Sequence, residues 1–115
     1  MRIEDSNQKA LITWFNMQYP YFKDFLVAVR NEAKRTPGGH INAIQMGLKQ
    51  GFPDLMLLIP RKSFHGLCIE MKSPKGRCTP KQKRYHEALP TMGYSVAVCY
   101  SWLEGKKVIE DYLSE

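Results

Sequence analysis

The sequence predicts an α/β fold with a mixed central sheet flanked by helices. Two observations carry this. The apolar run that starts at Leu55 and the run Gly66 to Lys72 are joined only by Pro60 to His65, a link short enough for a hairpin. An amphipathic segment and a third apolar run, Tyr94 to Tyr100, follow directly. A strand, helix, strand series of that kind suggests a right-handed crossover and a mixed sheet covered by helices. At 115 residues the chain is expected to be one domain, 1–115, large enough for a single core.

The elements follow in order. Asp5-Ser6-Asn7-Gln8 reads as a helix start, with Asp5 as N-cap and Gln8 three residues on. Leu11, Trp14, Phe15 and Gln18 continue at helical spacing, and Pro20 stops the helix. Phe25 to Arg30 is the first expected strand. Lys34 to Gly39, with Thr36-Pro37-Gly38-Gly39, reads as a basic flexible loop. Ile41, Ile44 and Leu48 mark a short helix, with Gly51 as its C-terminal cap. The hairpin comes next. Thr79-Pro80-Lys81-Gln82 then opens a helix: Thr79 caps it, Pro80 takes the first position and Gln82 closes a capping box. Its apolar stripe is Tyr85, Ala88, Leu89 and Met92, and Gly93 ends it. Tyr94 to Tyr100 is apolar enough for burial on both faces, and a last helix runs from about Trp102 to Leu113. The order is helix, strand, helix, strand, strand, helix, strand, helix.

Composition narrows the function. The hydrophobic share is 43%, with no segment long and apolar enough to span a bilayer. No apolar signal segment follows Met1, and the three cysteines have no Cys-x-x-Cys spacing. These features lead to an expected cytoplasmic location. They fit neither a zinc site nor a disulfide framework. The net charge is +6, and Lys72, Lys75, Arg77, Lys81, Lys83 and Arg84 lie in one stretch without an acid. Arg30, Lys34 and Arg35 form a second group. Basic segments beside carboxylates suit a polyanionic substrate, although a solvated surface explains the charges equally well.

Asp54, Glu70 and Lys72 carry the chemistry. Asp54 opens the first hairpin strand, and Glu70 and Lys72 close the second. Alternation puts Glu70 and Lys72 on one face and Leu67, Ile69 and Met71 on the other. Pairing the strands as a hairpin brings two carboxylates and an ammonium to one end of the sheet. Carboxylates that close repel each other, and a divalent cation is the usual reason to build such a pair.

Four blocks resemble the VRR-NUC branch of the PD-(D/E)XK nucleases: Gly51-Phe52-Pro53-Asp54-Leu55, Gly66-Leu67-Cys68-Ile69-Glu70-Met71-Lys72, Thr79-Pro80-Lys81-Gln82 and Gly93-Tyr94. The resemblance runs from about Asn31 to the C-terminus. It implies a restriction-endonuclease-like core and a Mg²⁺- or Mn²⁺-dependent endodeoxyribonuclease. Asp54, Glu70 and the Met71 backbone carbonyl would be metal ligands. Lys72 would orient the attacking water or stabilise developing negative charge. Gln82 has two readings: the capping box accounts for it, and the matching glutamine of the family lies at the active site. Glu4 and Gln8 resemble an acid and a glutamine on the family's first helix, although a helix-dipole role competes for Glu4. Asn31 and Glu32 resemble a family pair, with a turn and a surface charge as the alternative.

Lys75, Arg77, Lys81, Arg84 and Arg35 are the candidate phosphate contacts. His40, His65 and His86 have no mutual metal spacing and read as surface or packing residues. Trp14 and Phe15 read as core, as do Tyr21, Phe22 and Phe64 in preference to base stacking. Small stand-alone members of the family look like bacteriophage junction-resolving enzymes, so branched DNA and a homodimer are implied. Helix one, with Trp14 and Phe15, and Tyr19 to Phe25 are the candidate interface. A phage origin would place the protein in the host cytoplasm. The rival from another class is a non-catalytic nucleic-acid-binding protein on the same fold.

Overall fold

The computed structural model describes residues 2–29 and 37–115. The elements are α1 (Ile3–Gln18), β1 (Leu26–Ala28), α2 (Pro37–Gln45), β2 (Leu55–Leu57), β3 (Gly66–Met71), α3 (Pro80–Thr91), β4 (Tyr94–Cys99) and α4 (Trp102–Leu113). Their order is the one the sequence predicts. They build a four-stranded sheet in the order β1-β2-β3-β4. The first two pairings are antiparallel and β3 pairs with β4 in parallel, so the sheet is mixed.

β3 is an interior strand and every one of its residues is buried. Leu67, Ile69 and Met71 join Leu11 and Phe15 of α1, Leu55 and Leu57 of β2, and Ile109 and Tyr112 of α4 in the main core. Alternation sends Cys68 and Glu70 to the opposite face. There α3 covers them: Gln82 and His86 of that helix both reach Glu70. An exposed edge strand, which would explain Glu70 and Lys72 without function, is therefore not what holds them.

The hairpin turn is tighter than its linking sequence suggests. Arg61 and Phe64 exchange backbone hydrogen bonds, and Lys62 and Ser63 both take positive φ, the requirement of a two-residue turn with the twist of the strands. A long-range tie is the Tyr112 hydroxyl, which donates to the Ile59 carbonyl at 2.8 Å.

Several expectations need correction. α1 begins at Ile3, so Asp5 lies inside the helix and does not cap it; Arg2 precedes the helix without a side-chain cap. The first strand is only Leu26–Ala28, because Lys23–Phe25 winds into a 3-10 turn after Pro20. Arg30 and the pair Asn31 and Glu32 lie outside the described residues, as do Lys34, Arg35 and Thr36. Pro37, Gly38 and Gly39 open α2 and are not loop, since proline fixes a helical φ at a first position. Gly47, with φ +102°, follows α2 where Gly51 was expected to cap it. Met92 and Tyr21 are exposed, not core, and Tyr21 is 93% exposed. β4 is partly buried along most of its length and not sealed on both faces, as befits an edge strand.

Gly51 has a different task, which positions α3. Its φ is +90°, and a Cβ there would come within 2.7 Å of the Lys81 carbonyl carbon. The first turn of α3 thus rests directly on the backbone before β2. Lys81 Nζ donates to Gln50 Oε1 at 2.7 Å, and Tyr85 packs edge-on against Phe52 at 5.2 Å. Gly51→Ala should cost about 1–3 kcal/mol, from a strained φ and a backbone clash combined. Chemical denaturation of the two proteins measures this directly. A neutral or stabilising effect would mean that α3 is not seated on this glycine.

Candidate active site

The pairing register brings the motif together. Leu55 faces Ile69 across the antiparallel β2–β3 ladder, so Asp54, one residue earlier, falls opposite Glu70. Asp54 Oδ2 accepts the backbone N–H of Met71 at 2.8 Å. That bond closes the end of the hairpin and fixes the carboxylate beside β3. The Asp54 carbonyl accepts the Val29 N–H, tying the same residue to the end of β1. The convergence that hairpin pairing requires is present.

Glu70 is the unusual group. It is the buried charged side chain among the described residues, 2% exposed. Burial pushes its carboxyl up to about 9, and a hydrogen bond shared with Asp54 and the Asp54 charge push in the same direction; Lys72 opposes them. Gln82 Nε2 donates to Glu70 Oε2 at 3.3 Å. His86 Nε2 lies 3.5 Å from Glu70 Oε1, and neither of these buried atoms has a hydrogen-bond partner. Burial and the nearby Lys72 lower the His86 pKa below the usual imidazole value.

Gln82 both closes the capping box and reaches Glu70. Its Oε1 accepts the Thr79 backbone N–H at 2.8 Å, and its own N–H donates to Thr79 Oγ1 at 3.2 Å. The capping box thereby settles which end of the amide is which. With Oε1 committed to the helix start, Nε2 is the end presented to Glu70.

Asp54, Glu70, Met71, Lys72, Gln82 and Lys81 line one cleft of about 710 Å³, and Glu4 and Gln8 enter it from α1. That volume accommodates a phosphodiester with its solvent. Glu4 lies in the first turn of α1, where its charge suits the helix dipole, and it also lines the cleft. Lys75, Arg77 and Arg84 are exposed on the loop before α3 and on α3 itself; they do not line the cleft. Arg35 lies outside the described residues. Arg2 and Asp5 also line the cleft. Arg2 pairs with Glu4 at 3.0 Å. The sequence reading gives Arg2 no role and Asp5 only that of a helix cap. His86 packs against Glu70 from its place four residues after Gln82, one helical turn on along the same face.

Among the described residues, no three His, Cys, Asp or Glu side chains gather into a metal-holding group. Two carboxylates suffice for a hard cation that keeps most of its waters. Two hard oxygen donors converge here, one of them on a buried carboxylate with an orphaned oxygen. The donor set fits Mg²⁺ or Mn²⁺.

Comparison with known proteins agrees with this geometry. The VRR-NUC domain family matches residues 3–102. The chain belongs to the VRR-NUC family, and with it to the nuclease class of nucleic-acid-processing proteins. It is similar to a solved "VRR_NUC domain protein" with 28% identity and a TM-score of 0.84, over 97% of this chain and 88% of that one. A second solved structure, "VRR_NUC domain", shares the fold at 21% identity and a TM-score of 0.55, over 92% of this chain and 97% of that one. No curated protein matches the chain. No helix among the described residues is long and apolar enough to cross a membrane.

Glu70 has a stability consequence. Its folded pKa is raised from 4.5 to about 9, so the native state holds a proton that the unfolded chain has lost. The fold's advantage is therefore complete below 4.5 and declines as pH rises towards 9. Glu70→Gln removes this loss. In chelator, the stability gained by that variant over wild type should grow with pH across this window, by on the order of 1 kcal/mol per pH unit. Denaturation at pH 5.5, 7 and 8.5 reads the difference. A gain independent of pH would show that Glu70 titrates normally.

Proposed function

We propose that this protein is a Mg²⁺- or Mn²⁺-dependent endodeoxyribonuclease that acts on branched DNA as a homodimer, in the manner of a four-way-junction resolvase. The observation that carries the reading is the buried Glu70 carboxylate held beside Asp54 at the end of an interior strand, where a folded domain gains nothing from it without a cation. Asp54, Glu70 and the Met71 carbonyl would hold the ion. When bound, it would supply an activated water molecule and offset charge on the phosphate.

The chain's own residues do the rest. Asp54 is kept in place by the Met71 N–H, and Glu70 by Gln82. Lys72, at the end of β3 and in the same cleft, stabilises negative charge as water adds to phosphorus and the leaving oxygen departs. Lys81 meets the strand at the cleft. Lys75, Arg77 and Arg84 hold flanking phosphates, as does Arg35. Glu4 and Gln8 border the site from α1.

The homodimer reading rests on substrate symmetry. One 13.3 kDa domain with one site cuts one strand per visit, whereas a four-way junction needs two symmetric cuts. Of the aromatic candidates, Phe15 is fully buried and Trp14 packs on the core, so both serve folding. Met17, Tyr21 and Phe25 remain exposed, as does Leu58, whose N–H donates to the Phe25 carbonyl beside edge strand β1. These apolar side chains are the proposed contact with a second copy.

Asp54→Ala, Glu70→Ala and Lys72→Ala should each lower cleavage by on the order of a hundredfold or more and leave circular dichroism unchanged. Wild-type rates in any one of them would remove that residue from the site. Binding of DNA without cleavage by the wild type in Mg²⁺ and Mn²⁺ would favour the non-catalytic alternative.

A panel of labelled single strand, duplex, flap, splayed arm and four-way junction should show preferred cleavage of the junction. Sedimentation at micromolar concentration should report twice the chain mass. A monomer that nicks linear duplex as fast as a junction would contradict the resolvase reading and leave the nuclease reading standing.

A further inference from the structure

Glu70 is gripped from one side by a single helix. Gln82 and His86 stand four residues apart on α3, so they project from the same face one turn apart. Gln82 Nε2 meets Oε2 of Glu70 at 3.3 Å. His86 Nε2 faces the other oxygen, Oε1, at 3.5 Å. Each oxygen of the carboxylate thus has its own nitrogen on α3. An ionised carboxylate offers about four lone-pair sites. Two turned towards α3 leave the others for the cleft, where Asp54 lies.

His86 is not held by chance. Its side chain is 15% exposed, and its Nε2 is buried with no hydrogen-bond partner. A buried imidazole nitrogen without a partner costs stability, as does an orphaned carboxylate oxygen. Facing each other, the two need only a small approach to satisfy both. A neutral imidazole has one N–H, and opposite a carboxylate that N–H is the favourable tautomer.

We propose that His86 is a positioning residue of the metal site, donating Nε2–H to Glu70 Oε1 and so aiming the carboxylate at the cation. The inference rests on the metal-site reading above. Gln82 holds one oxygen from α3, and a hydrogen bond shared with Asp54 ties the carboxylate towards the cleft. His86 on the second oxygen adds a hold from the helix side. Outer partners of this kind raise metal affinity about 10–100-fold without touching the ion. His86 lies behind Glu70 and does not line the cleft, so it is placed to act through Glu70 and not on the phosphate.

The test is Mn²⁺ binding by titration calorimetry on the full chain, compared with three variants. His86→Leu keeps bulk and removes the donor, whereas His86→Gln can place an amide Nε2–H near the same point. Gln82→Leu removes the other nitrogen. We expect His86→Leu to weaken Mn²⁺ binding by about tenfold or more, and His86→Gln to recover most of it. Cleavage at saturating Mn²⁺ should stay within a few-fold of wild type in both. Gln82→Leu should also weaken binding.

Wild-type affinity in His86→Leu, with melting unchanged, would reduce His86 to packing and overturn the inference. Equal losses in the leucine and glutamine variants would overturn it too, because shape and not the donor would then matter. Lost cleavage at saturating Mn²⁺ with normal affinity would do the same by moving His86 into the reaction. Should His86→Leu fail to fold, the folded glutamine variant decides: affinity near wild type supports the inference and a tenfold loss opposes it. Absence of Mn²⁺ binding by the wild type would instead sink the metal-site reading itself.

Discussion

The hydrogen bond from the Met71 N–H to Asp54 Oδ2 is the constraint from which the site follows. It joins the residue before β2 to the last residue of β3. It therefore closes the hairpin at its functional end and fixes the separation of two acidic positions. The antiparallel register that allows it also buries Glu70 between strands and helix. A domain of this size has little stability to spare, and a carboxylate kept out of water opposes folding. The fold meets that cost with α3, which covers Glu70 with an amide and an imidazole. The seat of α3 is in turn the bare backbone at Gly51. Hairpin, glycine and helix are one device, built around one carboxylate.

Much of this was legible in the sequence, because it depends on periods and on short-range chemistry. A strand alternates, so Glu70 and Lys72 had to part from Leu67 and Ile69. A short link had to make a hairpin, and a hairpin had to bring Asp54 to Glu70. Thr79-Pro80-Lys81-Gln82 is a local statement about a helix start, and α3 begins at Pro80 as that statement requires. The last helix, Trp102–Leu113, likewise matches its pattern.

What the sequence hid depends on tertiary contacts. α1 starts before Asp5 without a side-chain cap, and no local rule gives a reason to begin there. Pro37-Gly38-Gly39 has turn composition, yet proline is equally at home in a first helical turn. Gly51 reads as a helix cap because its need for space comes from Lys81, far along the chain, which no local pattern displays. The Tyr112 bond to Ile59 spans 53 residues and has no sequence signature. The approach of His86 to Glu70 is hidden for a related reason. It joins a helix to a strand, and spacing among histidines does not display such a contact.

If Asp54 and Glu70 are placed together to hold a divalent cation, anomalous diffraction from crystals grown with Mn²⁺ should show a peak within coordination distance of both carboxylates. A Mn²⁺ peak only elsewhere on the molecule, with Glu70 still buried beside Asp54, would contradict that role.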